Sequence, residues 1–171
     1  MRFLSENQAF ERLERLRGDF AGRIRRDYEQ AAKDCGTCET KGACCLDAHF
    51  VNVRVSRLEA AAIRHAIGEL TPELQRRVSE RSAAAIEWYG LRNEADPEKA
   101  TYACPLFEPA VGCLVHTTAK PLPCIHHACY ERNEDRPPDA ILEDAEAAVD
   151  SLNIRVYGKA NVPLPIPLAI V

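Results

Sequence analysis

Eight cysteines stand in this chain of 171 residues, and they fall into two patches. Four lie in Cys35-Gly-Thr-Cys38-Glu-Thr-Lys-Gly-Ala-Cys44-Cys45, and four more are Cys104, Cys113, Cys124 and Cys129. Thiolates are soft ligands suited to zinc and to iron-sulfur clusters. Cys35 and Cys38 form a CxxC, a spacing that lets two thiolates turn toward one metal in a tight loop. Cys44 and Cys45 are adjacent, and neighbouring residues in extended chain project in different directions, so either two sites share this loop or one thiol is auxiliary. The second patch has spacings of nine, eleven and five, with Pro105 and Pro123 beside Cys104 and Cys124. Proline stiffens a ligand loop and removes an N–H, and it also neighbours ligand cysteines in bacterial ferredoxin runs.

Other readings of these thiols fit less well. The N-terminal residues run into a charged helical pattern without a continuous apolar stretch, which predicts neither a signal peptide nor a membrane span and makes the cytoplasm the expected address. Thiols there stay reduced, which favours ligands over four disulfides. A zinc ribbon needs two CxxC knuckles, and this chain has one. A thioredoxin-like CxxC opens a helix within a βαβ pattern, whereas Cys35 follows a helix and precedes more glycine-containing loop. His116, His126 and His127 lie within the second patch as candidate ligands, proton relays or donors to a cluster sulfur, although a satisfied or exposed histidine is the simpler reading of each. Cys113-Leu-Val-His116 and Cys124-Ile-His126 contain the thiolate and imidazole types of a Rieske centre, but not its order or separation.

These patches must be positioned by the segments around them. A 46% hydrophobic content and a 28% charged fraction describe an ordinary globular chain, expected as a single domain over residues 1–171. The formal charge of -4 supplies no electrostatic footprint for nucleic acid. The locally acidic stretch 131–150 reads as a solvated helix surface. Phe10, Leu13, Leu16, Phe20, Ile24 and Tyr28 recur at helical spacing, with Ser5 and Gln8 as a capping pair, and predict a helix that stops near Asp34. Val51, Val53 and Val55 alternate as a strand, and Ser56 with Glu59 caps a helix running to about Leu70. Thr71-Pro72 opens another helix, which Gly90 closes.

Further along, Cys104-Pro-Leu-Phe107 and Cys113-Leu-Val-His116 predict a short hairpin joined through Pro109-Ala-Val-Gly112. Lys120-Pro-Leu-Pro-Cys124 is expected to continue as extended chain. A final helix starts at Pro137-Pro138-Asp139, so that residues 1–34 and 138–158 form flanking helices around the cysteine region, 35–129. Alternating prolines in 159–171 predict an extended, polyproline-like tail that either crosses its own core, the favoured reading, or docks in a partner's groove. The expected class is mainly α with a short β-hairpin and an irregular cysteine-rich metal-binding core, a small α+β fold being the variant.

Taken together, Cys35-x-x-Cys38 with Cys44-Cys45, the segment Val51 to Ile63, Cys104-Pro-Leu-Phe107, and Cys113-Leu-Val-His116 leading to Lys120-Pro-Leu-Pro-Cys124 resemble the YkgJ-type cysteine-cluster proteins. That family is also described as CxxCxxCC or zinc- or iron-chelating. The resemblance spans roughly residues 35 to 129; it departs in the five residues between Cys38 and Cys44 and in Lys120-Pro121, where Arg-Pro is common. It implies metal chelation by the matching cysteines. Related clusters in flagellin lysine-N-methylases keep an enzyme reading open.

The expectation is therefore a metal-binding protein that holds an iron-sulfur cluster, favoured as 4Fe-4S, or else zinc or mononuclear iron, with a structural, electron-transfer or sensing role. All eight cysteines are candidate ligands, and Lys41, Arg54 and Lys120 are candidates to offset thiolate charge. The alternatives are a redox or group-transfer enzyme using the metal beside His126 or His127, and an intracellular metal carrier. No phosphate loop, dinucleotide fingerprint or nucleophile elbow supports an enzyme. No nucleic-acid or membrane partner is expected.

Overall fold

Ser5 and Gln8 close a reciprocal capping box, each side chain meeting the other's backbone N–H at 3.3 Å, and so start helix α1, Glu6–Asp27. The computed structural model describes residues 3–32, 42–46, 51–92, 101–127, 130 and 132–171. Within them the protein is mainly helical, with six α-helices and two short antiparallel strand pairs. The chain divides into two compact units: Met1–Lys41 with Lys120–Asn161, and Gly42–Ala119 with Val162–Val171.

In the first unit α1 buries Ala9, Leu13, Phe20 and Ile24 along one stripe. It stops at Asp27 rather than near Asp34, and the chain makes one 3-10 turn, Glu29–Ala31. The C-terminal helix of this unit, α5 (Asp139–Tyr157), ends where Gly158 takes a left-handed φ of 77° and returns its N–H to Ile154 O at 2.8 Å, the usual work of glycine at a helix end. The Leu4 N–H bonds Arg155 O at 3.0 Å, and the Tyr157 hydroxyl donates to Glu6, pinning α5 to the start of α1. Between these helices in sequence comes α4, Leu122–His126.

That short helix corrects the expectation of extended chain at Lys120–Cys124. Pro121 flanks it in an extended conformation, and Pro123 sits in its first turn, where a backbone N–H has no intrahelical acceptor and its loss costs nothing. The turn is closed by Ile125 N–H to Pro121 O and His127 N–H to Pro123 O, and it buries Leu122 completely. Prolines that resemble an extended run here initiate a helix instead.

In the second unit Ser56 and Glu59 form the predicted capping box, the Glu59 carboxylate accepting the Ser56 N–H at 2.9 Å, and start α2, Arg57–Gly68. Thr71 and Pro72 open α3, Pro72–Trp88. The strand expected over 51–55 is short, β1 being only Arg54–Val55. The hairpin expected from Cys104 to His116 forms as β2 (Phe107–Glu108) against β3 (Gly112–Cys113), with Phe107 opposite Cys113. Its tight connection places Ala110 at φ 65° and Gly112 at φ 99°.

The C-terminal segment differs most from expectation. Instead of staying extended throughout 159–171, it pairs as β4 (Leu164–Pro165) with β1 and then turns into α6, Ile166–Ile170. Ile166 and Ala169 enter the core formed by Val55, Ile63, Val78, Ile86, Leu106 and Val115, so the tail does cross its own core. The Tyr102 hydroxyl donates to Val53 O and accepts the Ile166 N–H at 3.2 Å, joining the middle of this unit to its C-terminal segment. No helix among the described residues is long and apolar enough to cross a membrane.

Candidate metal centre

Cys104-Pro105-Leu106-Phe107 makes a tight turn in the second unit, with the Phe107 N–H bonded to Cys104 O at 3.2 Å. Pro105 and Leu106 are buried within it. The turn aims the backbone N–H groups of Leu106 and Phe107 at the Cys104 sulfur as well. Backbone N–H donors directed at sulfur stabilise the thiolate that a metal requires.

The surroundings act on that sulfur in opposite senses. Burial pushes the Cys104 thiol up to about 12, and the nearby Cys113 adds to the rise; the two backbone donors and the Arg81 guanidinium pull the other way. The Cys104 residue as a whole keeps some exposed surface, so the desolvation is that of a sulfur packed from several sides rather than of a residue deep in a core. A buried thiol beside a second thiol resists ionisation by itself, and a bound cation reverses the balance.

Arg81 is held there by specific contacts. It reaches from α3 to donate to Phe107 O and, at 2.8 Å, to the Glu108 carboxylate. Arg77, one turn earlier, donates to the other Glu108 oxygen at 2.9 Å. The buried Glu108 carboxylate thus fixes a cation over the Cys104 turn. None of these three was a sequence candidate. Their signal was available only in part, as two arginines four apart on α3, since nothing local links them to a glutamate 27 residues beyond Arg81.

The first cysteine patch meets this turn through backbone. Ala43–Cys45 is a single 3-10 turn, closed by Cys45 N–H to Gly42 O at 2.8 Å. The Cys104 N–H donates to Cys45 O at 2.9 Å. Gly42, with a φ of 81°, lies against the Phe107 ring so closely that no Cβ would fit. Cys113 is on β3, and the Leu114 N–H to Leu106 O bond at 2.9 Å extends that hairpin contact back to the Cys104 turn. Cys45, Cys104 and Cys113 are partly buried, Cys44 is exposed, and none is in a disulfide.

Cys124 lies on α4 in the first unit. Cys35, Cys38 and Cys129 fall outside the described residues, as does Lys41. The histidines separate by environment. His126 is buried, stacked on Phe20 with centroids 6.5 Å apart, its Nε2 3.4 Å from Pro138 O. This is a core histidine. The His127 imidazole is held below its usual range by desolvation, Arg136, His126 and Lys120, in that order. His116 is exposed after Cys113. Of the expected charge-offsetting residues, Arg54 instead donates to Pro163 O at 3.2 Å, and Lys120 acts on His127.

Among the described residues, no three or more cysteine, histidine, aspartate or glutamate side chains surround a common point able to hold a metal ion. The groups that act on the Cys104 sulfur are one further thiol, Cys113, the backbone N–H groups of Leu106 and Phe107, and Arg81. Comparisons with protein-family models, curated proteins and solved structures find no match.

Proposed function

We propose that this protein binds metal through its cysteine thiolates, as an iron-sulfur cluster or as zinc or iron. One observation carries the reading: two backbone N–H groups, of Leu106 and Phe107, act on the Cys104 sulfur near a second thiol, Cys113, in a turn whose Phe107 O receives the Arg81 guanidinium that Glu108 holds in place. Backbone donors to sulfur and a nearby cation lower the cost of ionising a thiol, and the thiolate is the form that a metal binds. The resemblance to the YkgJ-type cysteine-cluster proteins supports the same reading. Cys104 and Cys113 would act as ligands, with the remaining cysteines completing the coordination. The metal supplies positive charge that offsets the thiolates and cross-links otherwise irregular loops, which couples binding to stability.

Iron, zinc and acid-labile sulfide measured on protein purified without oxygen, with a visible spectrum of the same sample, tests this. Iron with matching sulfide identifies a cluster, and zinc without sulfide a thiolate zinc protein. Absence of both metals, with no uptake on anaerobic reconstitution, refutes the proposal.

A further inference from the structure

Cys104 and Cys113 stand at the two ends of one short segment, residues 104–113, and the fold closes that segment on itself. The Phe107 N–H bonds Cys104 O at 3.2 Å, and Phe107 lies opposite Cys113 across the hairpin. A turn of the first kind brings its end Cα atoms to within about 7 Å, and facing residues of an antiparallel pair lie about 4.5–5.5 Å apart. Each cysteine is thus one short step from Phe107. The Leu114 N–H bond to Leu106 O, at 2.9 Å, holds the two arms together beyond it. Both cysteines pack against the same core as Leu106 and Val115, and Cys113 acts electrostatically on the Cys104 sulfur. Neither is in a disulfide.

From this placement we infer that Cys104 and Cys113 are a redox-active pair, which in the metal-free chain closes a disulfide by exchange with a low-molecular-weight disulfide such as oxidised glutathione. The Cys113 thiol gives its proton to water, and its thiolate attacks one sulfur of the reagent. A sulfur–sulfur bond forms on Cys113, the bond within the reagent breaks, and one glutathione thiolate leaves. Cys104, its own proton also passed to water, then attacks the Cys113 sulfur and expels the second glutathione thiolate. Two protein thiols are oxidised and one small disulfide is reduced to two thiols.

The surroundings divide the two roles. Cys113 follows the tip of the hairpin, where Val111 is 72% exposed and Gly112 has open space around it, so the reagent meets this sulfur first. The Cys104 sulfur is desolvated and is reached from within the chain. The backbone N–H groups of Leu106 and Phe107 favour the thiolate that its attack requires, against the burial that opposes it, which makes closure the slow step. The pair goes beyond the metal-binding reading, because a disulfide leaves neither sulfur as a thiolate ligand and so withdraws the Cys104 turn from metal under oxidising conditions. That consequence rests on the metal-binding reading, whereas the bond itself does not.

The test equilibrates the reduced, metal-free full chain with mixtures of oxidised and reduced glutathione, blocks the remaining thiols by alkylation, and maps the bonds by mass spectrometry. Chymotryptic cleavage after Phe107 falls between the two cysteines, so a bond between them holds the two fragments together. The expected result is a Cys104–Cys113 bond as the first disulfide to form, with a yield that falls about tenfold in urea, where the hairpin no longer holds the ends of the segment together. C104S is expected to stop at a glutathione adduct on Cys113; if circular dichroism shows that it does not fold, the wild-type map decides alone. A first bond that joins Cys104 or Cys113 to any other cysteine, or an equal yield in urea, overturns the proposal. Zinc uptake is then read on the oxidised chain before and after thiol reduction. Lower uptake by the oxidised chain supports the redox dependence of metal binding, and equal uptake overturns it. No uptake by either form overturns the metal-binding reading, and the map still decides on the bond.

Discussion

The Phe107 ring lies directly over the α-carbon of Gly42, in the space where any other residue would place its Cβ. This contact seats the turn bearing Cys44 and Cys45 on the hairpin bearing Cys113, and it explains a glycine at φ 81° by two independent demands. Gly42→Ala must both strain the backbone and displace an aromatic ring, at a combined cost of about 2–4 kcal/mol. Gly112 also has a positive φ, of 99°, but open space around it, so Gly112→Ala should cost only the backbone part, about 1–2 kcal/mol. Urea denaturation of both variants checks the difference; equal losses would show that the ring contact contributes nothing.

Tyr102→Phe probes how the C-terminal segment is held. The substitution keeps the buried ring but removes a hydroxyl that serves Val53 O and the Ile166 N–H. A buried N–H left without an acceptor costs about 1–3 kcal/mol, and the same loss should appear as faster amide exchange at Ile166. Ile166→Ala, which empties a nearly inaccessible core position, should cost about 2–5 kcal/mol. Unchanged exchange at Ile166 in Tyr102→Phe would argue that another group takes over the N–H.

Glu108→Gln tests the arginine clamp. The buried carboxylate receives Arg77 and Arg81 at 2.9 and 2.8 Å, while both arginines retain contact with solvent. Water can therefore satisfy the guanidinium groups in part when the charge is removed, and the expected loss is about 1–2 kcal/mol rather than that of a fully buried pair. Because Arg81 also bonds Phe107 O, a double-mutant cycle with Arg81→Ala should give a coupling of at least about 0.5 kcal/mol. An additive cycle would mean that the contacts are not energetically linked.

Local signals in the sequence were sufficient for the long helices. Ser5 with Gln8, Ser56 with Glu59 and Thr71 with Pro72 each specify a helix start through contacts within one turn, and all three form. Where tertiary packing decides, the local reading falls short. Pro121 and Pro123 are compatible with extended chain or with a first helical turn, and the burial of Leu122 selects the helix. The prolines of the tail are similarly ambiguous until β1 and the core take up Leu164–Pro165 and Ile166. The cysteines themselves were evident from spacing, but the bond from Cys104 N–H to Cys45 O was not, because nothing local in either patch encodes a contact so distant in sequence. Arg81 and Glu108 were invisible for the same reason.

Alkylation of the metal-free chain follows from the burial of Cys104. Its thiol is pushed from 9.0 to about 12, chiefly by desolvation, and only the thiolate attacks iodoacetamide. At pH 8 the thiolate fraction in the folded state is about 10⁻⁴, against about a tenth for an ordinary thiol at 9.0, so Cys104 should react far more slowly than the exposed Cys44. Its rate should climb about tenfold per pH unit up to about 12. The sign for stability follows from the raised value: the folded state holds this proton more tightly, so the contribution is complete below pH 9 and is lost as pH rises through about 12. Site-resolved mass spectrometry after timed alkylation at pH 8 and pH 10, in buffer and in urea, measures each step. Slow labelling in buffer that urea abolishes is the expected pattern; rapid labelling of Cys104 in the folded chain would mean that its sulfur is open to solvent.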